Sequence, residues 1–359
     1  MIGRFAIDAD ALRLPDGAGL GARLEHKRLA ETVLECGLLG VLGPTDADAL
    51  GGALKRLADQ LGYDFWRPLM RAIDSAGSGV FRADPPHGRS VHDYTMAGEL
   101  EQLQPVIDLL VLGSAGDRAP GLAPTIERAL YDDHGCASFA EGPEVALSSA
   151  IDQSETVHRL KALHRETVIP AGVLRNAVWD TYFRPLARVS SEVNIFDRFL
   201  FSGLIKRRGF NGSDSLLRWL LRSLDRDLPP DAVVNLFARS GDRVARENHD
   251  QTAMPYSVAD ISAAVKRSGW QRDGQLHLYI DDALHHDRHL RFSCGHAIMP
   301  QGGLDQLRFR DGALVKPFSY AYVPPGDGLN RRADEEAKAR SRGIHYVHRS
   351  NDDGFVREA

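Results

Sequence analysis

The first half of the chain alternates short apolar runs with longer stretches of helical periodicity. Residues 5–7 form a short apolar run that ends at Asp8, and residues 106–112 form a longer one interrupted only by Asp108. Between them, residues 45–61 place apolar side chains at helical spacing, with a threonine at the start and a glycine directly after the end. Strands that alternate with helices in this order predict a parallel sheet, so we expect a three-layer α/β domain.

The second half continues with strands and helices and then ends in several strands. Residues 192–196 and 233–237 are short apolar runs. A helix between them is indicated by leucines on one helical face, namely Leu216, Leu217, Leu220, Leu221 and Leu224. Residues 276–280 alternate apolar and polar side chains, and residues 284–292 are interpreted as a further strand. This order predicts a second α/β domain with a mixed sheet.

Length and charge divide the chain into parts. With 359 residues it exceeds the usual size of a single core, so two domains are expected. We place them at residues 1–168 and 169–325, followed by a highly charged tail at residues 326–359. Residues 1–170 carry 16 Lys and Arg against 25 Asp and Glu, whereas residues 171–359 carry 28 against 24. This asymmetry indicates an anionic ligand for the second half, or else a chance split between two solvated surfaces.

Hydropathy and cysteine usage favour a cytoplasmic protein. No apolar run approaches the roughly 18 residues that span a bilayer, so no transmembrane segment is expected. Residues 1–10 lack the apolar core of a signal peptide. Cys36, Cys136 and Cys294 lie far apart without a Cys-x-x-Cys pair, which is typical of free thiols in a reducing compartment.

Residues 284–292, which are rich in histidine and arginine, carry the strongest chemical signal. In a strand, His286 and Arg288 would stand side by side on one face. Arginine offers a planar fork to two phosphate oxygens, and histidine can attack phosphorus or transfer a proton near neutral pH. The pair therefore predicts a site for a phosphate group.

These residues resemble the phospholipase D-like superfamily, in which a His-x-Lys pair on a strand supplies the nucleophile and a phosphate contact. Residues 284–292, followed by Gly-Gly-Leu-Asp at 302–305, look closest to the phospholipase D-like domain found at the C-terminus of MIT-domain proteins. That domain has the pattern Leu-His-Asp-Arg, a strand, and Gly-Leu-Asp. Residues 195–199 resemble the Asp-Arg-aromatic strand end of its bacterial relatives. The resemblance covers about residues 174–322.

The resemblance implies roles for particular residues. His286, Arg288 and Asp305 would be the catalytic group, with His286 as nucleophile or proton shuttle and Arg288 as phosphate clamp. Arg198 would bind phosphate together with Arg288, and Asp197 would position these side chains.

Several positions differ from the catalytic members of the superfamily. Arg288 stands where they have Lys, and Ser293 stands where an Asp is expected. The motif is assigned to the single pair His286 and Arg288, whereas the chemistry needs two copies, so cleavage at this motif would require a homodimer. The MIT-associated branch is thought to bind phospholipid headgroups without cleaving them, which favours anion recognition over cleavage. Lys206, in a basic loop, is a further candidate phosphate-binding residue, although such a loop is usually only a solvated turn.

Two other interpretations of the histidine-rich segment stay open. A metal site would need a carboxylate or Cys partner and would draw its other ligands from His285, His286, His289 and His296. Alternatively, His286 and Arg288 belong to a structural ion-pair network with Asp197 or Asp305.

The first half carries a weaker signal in its aspartates. Asp8 and Asp10 follow the first predicted strand, and Asp108 lies in a later one. Residues 5–8 resemble the start of PIN-type nucleases, whose first strand ends in an Asp and whose acidic residues gather around Mg²⁺ or Mn²⁺. This resemblance implies a Mg²⁺ or Mn²⁺ site at Asp8, Asp10 and Asp108. The alternative is that each Asp is a cap or turn residue.

Three functional hypotheses follow from these patterns. In the first, the protein is a phosphodiester-directed effector, a nuclease acting on nucleic acid with a partner protein in a bacterial anti-phage defence system. That setting is an analogy with bacterial relatives of the C-terminal domain. In the second, it is a non-catalytic adaptor that binds a phospholipid headgroup or a nucleic-acid backbone and recruits partner proteins. In the third, it is a structural subunit that docks through its acidic half.

Overall fold

The computed structural model forms two compact units, Met1–Leu163 and His164–Ala359, each of which combines helices with a β-sheet. The predicted α/β class is therefore confirmed. The division between the units follows Leu163, whereas the sequence predicts a boundary after residue 168. The structure describes all residues except 1, 15–16, 62–65, 67–79, 84–87, 114–121, 166, 199, 202–215, 240–256, 351–353 and 359, and except the side chains of Leu61 and Asp305.

The first unit is built on a six-stranded sheet with the order β3-β2-β1-β4-β6-β5. Its neighbouring strands are parallel except for β5, which pairs antiparallel with β6. The strands are β1 (Gly3–Ile7), β2 (Gly37–Leu42), β3 (Val80–Ala83), β4 (Leu109–Leu112), β5 (Cys136–Ala137) and β6 (Glu144–Leu147). The helices are α1 (Leu20–Cys36), α2 (Gly43–Leu61), α3 (Val91–Ala97), α4 (Pro124–Asp132) and α5 (Glu155–Arg165).

Both faces of this sheet are buried, because parallel strands are joined by helices that cover either side. Phe5 and Ile7 of β1 point to the face packed by α1, α2 and α5. Ala6 points to the opposite face, which α3 and α4 cover. The amide of Asp8 still donates to the carbonyl oxygen of Val111 at 2.9 Å, so β1 and β4 end side by side.

The second unit contains a nine-stranded mixed sheet with the order β17-β16-β10-β9-β8-β11-β12-β15-β7. Its central strands β8, β9 and β10 are parallel, and its other neighbouring pairs are antiparallel. The strands are β7 (Val168–Ile169), β8 (Glu192–Phe196), β9 (Val233–Ala238), β10 (Leu276–Ile280), β11 (His289–Phe292), β12 (His296–Pro300), β15 (Phe318–Val323), β16 (Ile344–Arg349) and β17 (Gly354–Arg357). A separate hairpin consists of β13 (Phe309–Arg310) and β14 (Ala313–Leu314).

Helices pack against this sheet through apolar faces of unequal size. They are α6 (Arg175–Val178), a π-helical turn (Trp179–Phe183), α7 (Arg184–Ala187), α8 (Leu216–Asp227), α9 (Val258–Ser268) and α10 (Asp327–Arg342). Four of the five leucines predicted on one face of α8 are buried and Leu216 is half-buried, whereas α10 buries only Glu336 and Ala339. The indole of Trp179 donates to the carboxylate of Asp227 at 2.7 Å, which ties the π-helical turn to the end of α8.

Two predicted elements of the second half differ from the structure. Residues 284–292 are not one strand, because β11 begins only at His289. A turn precedes this segment, because the side chain of Asp281 accepts a hydrogen bond from the amide of Ala283 and its carbonyl oxygen accepts one from the amide of Leu284. Residues 326–359 are not a tail, because they form α10 and the hairpin β16–β17, which extends the sheet beside β10.

No helix among the described residues combines the length and the apolar character that crossing a bilayer requires.

Candidate functional sites

Asp197 and Arg198 lie at the carboxyl end of β8, in the centre of the second unit's sheet. Strand pairing continues one residue past β8, because the amide of Asp197 donates to the carbonyl oxygen of Phe237 at 3.2 Å. Both side chains are buried at this point. A fixed backbone at a strand end therefore holds an acidic and a basic group together, as the sequence predicted for this dipeptide.

The carboxylate of Asp197 collects groups from two other segments. Its Oδ2 accepts a hydrogen bond from the amide of Leu304 at 3.0 Å, and its Oδ1 lies 3.5 Å from Nε of Arg288. Because Asp197 is completely buried, its charge requires such partners. The ion pair between Arg288 and Asp197 is the contact that the structural interpretation of these residues expects.

His286 contacts the second arginine of this site. Nη1 of Arg198 lies 2.5 Å from Nε2 and 3.0 Å from Nδ1 of the imidazole ring. Since the guanidinium can only donate, the ring nitrogen that accepts carries no proton. The side chain of His286 is exposed, so a ligand from solvent can reach the imidazole.

The loop that carries His286 and Arg288 is anchored by α10. Nη1 of Arg332 lies 2.6 Å from Oδ2 of Asp287, the residue between them. Partial burial raises the pKa of Asp287, but the hydrogen bond and charge of Arg332 and the charge of Arg331 outweigh this effect and hold the pKa below its usual value. The anchor therefore stays ionised at neutral pH.

The predicted residues of the second half meet in a way that differs from the prediction. His286 and Arg288 do not share the face of a strand, because both precede β11. They reach Arg198 and Asp197 from a loop instead. Asp305 belongs to a short 3₁₀-helix (Leu304–Gln306), but its side chain and the whole of Lys206 lie outside the described residues.

The predicted metal site of four histidines is not assembled in the described part of the chain. His289 donates to a glutamate and His296 lies 2.5 Å from the hydroxyl of Tyr322, while His286 contacts Arg198. In this part of the chain, none of the four histidines belongs to a group of three His, Cys, Asp or Glu side chains whose ligand atoms all lie within 4.8 Å of one another.

Sequence reasoning missed a second pair on the same strand. His289 and Arg291 are two residues apart in β11, so both point to the face that α10 covers, where they contact Glu336. The His-x-Arg spacing was visible in the sequence. It was overlooked because a strand starting at residue 284 made His286 and Arg288 the favoured pair.

In the first unit, a cleft opens at the carboxyl edge of the sheet between β1 and β4. It has about 40 Å³ of free space, and the described polar residues that line it are Asp8, Asp10, His92, Thr95 and Glu127. β1 pairs with β2 on one side and with β4 on the other. The chain that follows β1 leads to β2, whereas the chain that follows β4 leads to β5 and β6 on the opposite side, so the direction of the connections changes between β1 and β4. Ligands of open α/β sheets bind at such a switch point.

Asp108 does not belong to this cleft, so the predicted trio of metal ligands is not brought together. It precedes β4 and lies beside Arg4, at the amino edge of the parallel sheet. Its carboxylate binds the Arg4 side chain, with Nη2 2.9 Å from Oδ1, and also accepts the Arg4 amide at 2.8 Å. Asp8 lies four residues further along the chain than Arg4, so about 13 Å of strand separates Asp8 from the position of Asp108.

Asp8 and Asp10 both line the cleft, where Asp8 is partly committed to local contacts. Its Oδ1 accepts the amide of Asp10 at 2.9 Å, which caps a short 3₁₀-helix, and its Oδ2 lies 3.5 Å from Nδ1 of His92. Among the described residues, no group of three ligand atoms within 4.8 Å includes either aspartate. Such a donor set fits a hard cation that keeps several waters, as Mg²⁺ does, better than a closed tetrahedral site.

Asp46 is an acidic neighbour of this cleft that the sequence did not reveal. Burial raises its pKa to about 6, with the charges of Asp8 and Asp93 adding to the effect and a hydrogen bond from the amide of Val91 opposing it. A carboxyl group with a pKa near neutrality is typical of functional sites. Residue 46 gave no signal in the sequence because its proximity to Asp8 depends on how α2 packs.

No protein-family model matches this chain, and no curated protein matches its sequence.

Proposed function

We propose that this protein recognises phosphodiesters through its second unit, with nucleic acid as the target. The observation that carries the proposal is the meeting of Arg198, Arg288 and His286 around one buried carboxylate at the carboxyl end of β8. The guanidinium of Arg288 lies beside the carboxylate of Asp197, and that of Arg198 contacts the imidazole of His286. Guanidinium groups are the side chains best suited to a phosphate ligand.

The chemistry of these groups suits phosphate in particular. Guanidinium groups bind two phosphate oxygens at once, and an exposed imidazole can donate to a third. The contact between Arg198 and the His286 ring is a weak substitute for a phosphate oxygen, because a neutral nitrogen is a poorer partner for a cation than an anion is. The resemblance to the phospholipase D-like domain of MIT-domain proteins supports the same ligand class.

A second candidate function is metal-assisted hydrolysis of the phosphodiester in the first unit. The specific observation is the cleft at the switch point between β1 and β4, lined by Asp8, Asp10 and Glu127. Carboxylate oxygens are the ligands of Mg²⁺ and Mn²⁺, and these ions stabilise the charge that develops when a phosphodiester is cut. The resemblance of residues 5–8 to PIN-type nucleases supports this assignment.

Both functions together describe a phosphodiester-directed effector. Its setting in a bacterial anti-phage defence system, with a partner protein, rests on the resemblance of the second unit to bacterial relatives. The alternative is an adaptor that binds a phospholipid headgroup or a nucleic-acid backbone and recruits partners without cleavage.

Binding is tested with fluorescent single- and double-stranded DNA and RNA, and with vesicles that contain a phosphoinositide. We expect His286→Ala and Arg288→Lys each to weaken nucleic-acid binding about tenfold, because a hydrogen bond to a charged group contributes roughly 1.5–3 kcal/mol and lysine does not reproduce the bidentate fork of arginine. Arg267→Ala is the matched control, since this exposed arginine ends α9 at the opposite edge of the sheet. Equal affinity of all three variants would contradict the proposed site, and binding to vesicles alone would identify the headgroup adaptor.

Cleavage is tested with the same nucleic acids in Mg²⁺, Mn²⁺ or EDTA. Hydrolysis at the first unit's cleft should require the metal ion and should be lost in Asp8→Asn but retained in His286→Ala. Cutting that persists in EDTA and disappears in His286→Ala would move the chemistry to the second unit.

A further inference from the structure

A buried glutamate lies beneath α10, in the middle of one face of the second unit's sheet. Glu336 is almost completely buried, and His289 Nε2 lies 2.8 Å from its Oε1. Arg291 binds both oxygens, with Nε 2.9 Å from Oε1 and Nη2 2.5 Å from Oε2. The amide nitrogen of Asn194 lies 2.7 Å from Oε2. Every group that the strands present to this carboxylate is a hydrogen-bond donor.

The sheet fixes these donors in place. Arg291 of β11 lies opposite Asn194 of β8 in the strand register, and His289 lies opposite Phe196. The imidazole of His289 stacks on the Phe196 ring with centroids 4.8 Å apart. The side-chain oxygen of Asn194 accepts from Asn235 of β9 at 2.7 Å, which directs its nitrogen toward Glu336. The strands therefore form most of a cationic cradle by themselves.

The carboxylate of Glu336 is ionised in this cradle. Burial raises its pKa, but hydrogen bonds from His289 and Arg291 and the charge of Arg291 outweigh burial and hold the pKa below its usual value. A buried ion pair of this kind adds little net stability compared with apolar side chains of similar volume. Stability alone thus does not explain why a helix that buries so few residues places a carboxylate here.

The other attachments of α10 are mainly ionic. Arg332 binds Asp287 at 2.6 Å, Arg342 binds Asp281 at 2.8 Å, and Arg340 binds Glu192. Ala339 is the one buried apolar residue of the helix. Salt and competing anions weaken contacts between partly exposed charges. The helix is therefore held by interactions that an anionic ligand can replace.

We propose that His289, Arg291 and Asn194 form an oxyanion-binding site that Glu336 occupies while α10 is closed, and that a phosphate group takes this site when α10 is displaced. The two oxygens of the carboxylate stand in for two phosphate oxygens on the guanidinium fork. A phosphate has a further oxygen for His289. This site uses none of the side chains assigned to the proposed function. An experiment can therefore refute the oxyanion site without refuting the proposed function, and the reverse.

The wild-type protein provides the first test, with inorganic phosphate as the probe. Hydrogen exchange of the amides in α10 is measured across a phosphate titration, with sodium chloride at matched ionic strength as the control. We expect phosphate to speed exchange in α10 more than chloride does, while β8 and β9 stay protected. Identical exchange of α10 in both salts would overturn the proposal.

The second test compares two neutralised glutamates of the same helix by calorimetry with inorganic phosphate. Glu336→Gln removes the internal anion and should bind phosphate about tenfold more tightly than Glu335→Gln, which neutralises a glutamate that pairs with Arg332 outside the cradle. Adding Arg291→Ala to the Glu336→Gln variant should abolish the gain. Equal phosphate affinity of the two single variants would also overturn the proposal. If Glu336→Gln does not fold, the exchange experiment on the wild type decides alone.

Discussion

At the scale of single residues, buried charges determine which groups meet. Asp197 illustrates this, because one completely buried carboxylate draws in the amide of Leu304 and the guanidinium of Arg288 from distant parts of the sequence. The amide of Leu304 and the guanidinium of Arg288 would both lose this partner if the carboxylate were removed.

Replacing Asp197 should therefore destabilise the second unit strongly. For Asp197→Ala we expect the free energy of unfolding to fall by about 3–5 kcal/mol, because an arginine loses its buried counter-charge. Urea denaturation measures the change. Asp180→Ala is the control, since Asp180 forms an exposed ion pair with Arg184 and should cost no more than about 1 kcal/mol. Similar losses in both variants would show that Asp197 does not organise the site.

His296 gives a prediction about pH. Its burial, together with the charge of His164, lowers its pKa to about 3, and it lies beside the hydroxyl of Tyr322. The unfolded chain takes up a proton at this residue below about pH 6.5, whereas the folded protein stays neutral there, so stability is complete above pH 6.5 and is lost as pH falls toward 3.

The expected loss from this histidine is about 2 kcal/mol between pH 6.5 and pH 5. Denaturation at several pH values should show a shallower decline in His296→Asn than in the wild type. His285→Asn, at an exposed position, should leave the decline unchanged. Parallel curves for the wild type and His296→Asn would refute the assignment.

At the scale of elements, α8 and α10 show two ways of attaching a helix to the same sheet. The leucines of α8 repeat at helical spacing and are buried, so hydrophobic contacts hold it. α10 is almost entirely polar and is held by ion pairs. The first kind of helix is evident from the sequence, whereas the second resembles a solvated tail until the sheet beneath it is known.

Truncating the apolar face of α8 tests this difference. Leu220→Ala should lower the free energy of unfolding by about 2–5 kcal/mol, because Leu220 is buried and its removal leaves a cavity. Leu174→Ala, at a leucine that is 63% exposed, should change it by no more than about 0.5 kcal/mol. The urea concentrations at which the two variants are half unfolded provide the measurement. Equal values would contradict the burial of Leu220 on the apolar face of α8.

At the scale of the whole molecule, charge separates the two units. The acidic first half carries the cleft with Asp8 and Asp10, and the more basic second half carries Arg198 and Arg288. In the proposed function, a cation is the ligand of the first site and a phosphate group is the ligand of the second.

Addition of Mg²⁺ should therefore stabilise the protein through the first unit. At a concentration about 100 times the dissociation constant, the expected gain is about 2.7 kcal/mol, and EDTA should reverse it. Thermal unfolding with and without Mg²⁺ measures the effect, which should disappear in Asp8→Asn and persist in Asp48→Asn, an exposed control in α2. A metal-induced shift that survives in Asp8→Asn would exclude this cleft as the site.

The sequence by itself determined the α/β class, the parallel character of the first sheet and the buried face of α8. These follow from hydrophobic periodicity, which depends on neighbours a few residues apart. It also selected His286 and Arg288 through their spacing and their affinity for phosphate, and Asp197 and Arg198 through the resemblance to the phospholipase D-like domain.

Only the tertiary structure decided which of these residues meet. An aspartate before a strand and one after it look alike in an apolar run, yet in a parallel sheet they lie at opposite edges, as Asp108 and Asp8 do. Likewise, β11 begins at His289 beside β8 and β12, so His289 and Arg291 are the pair that shares a strand face. The physical reason is that strand order, strand direction and helix placement depend on contacts between residues far apart in the sequence, which local periodicity does not encode.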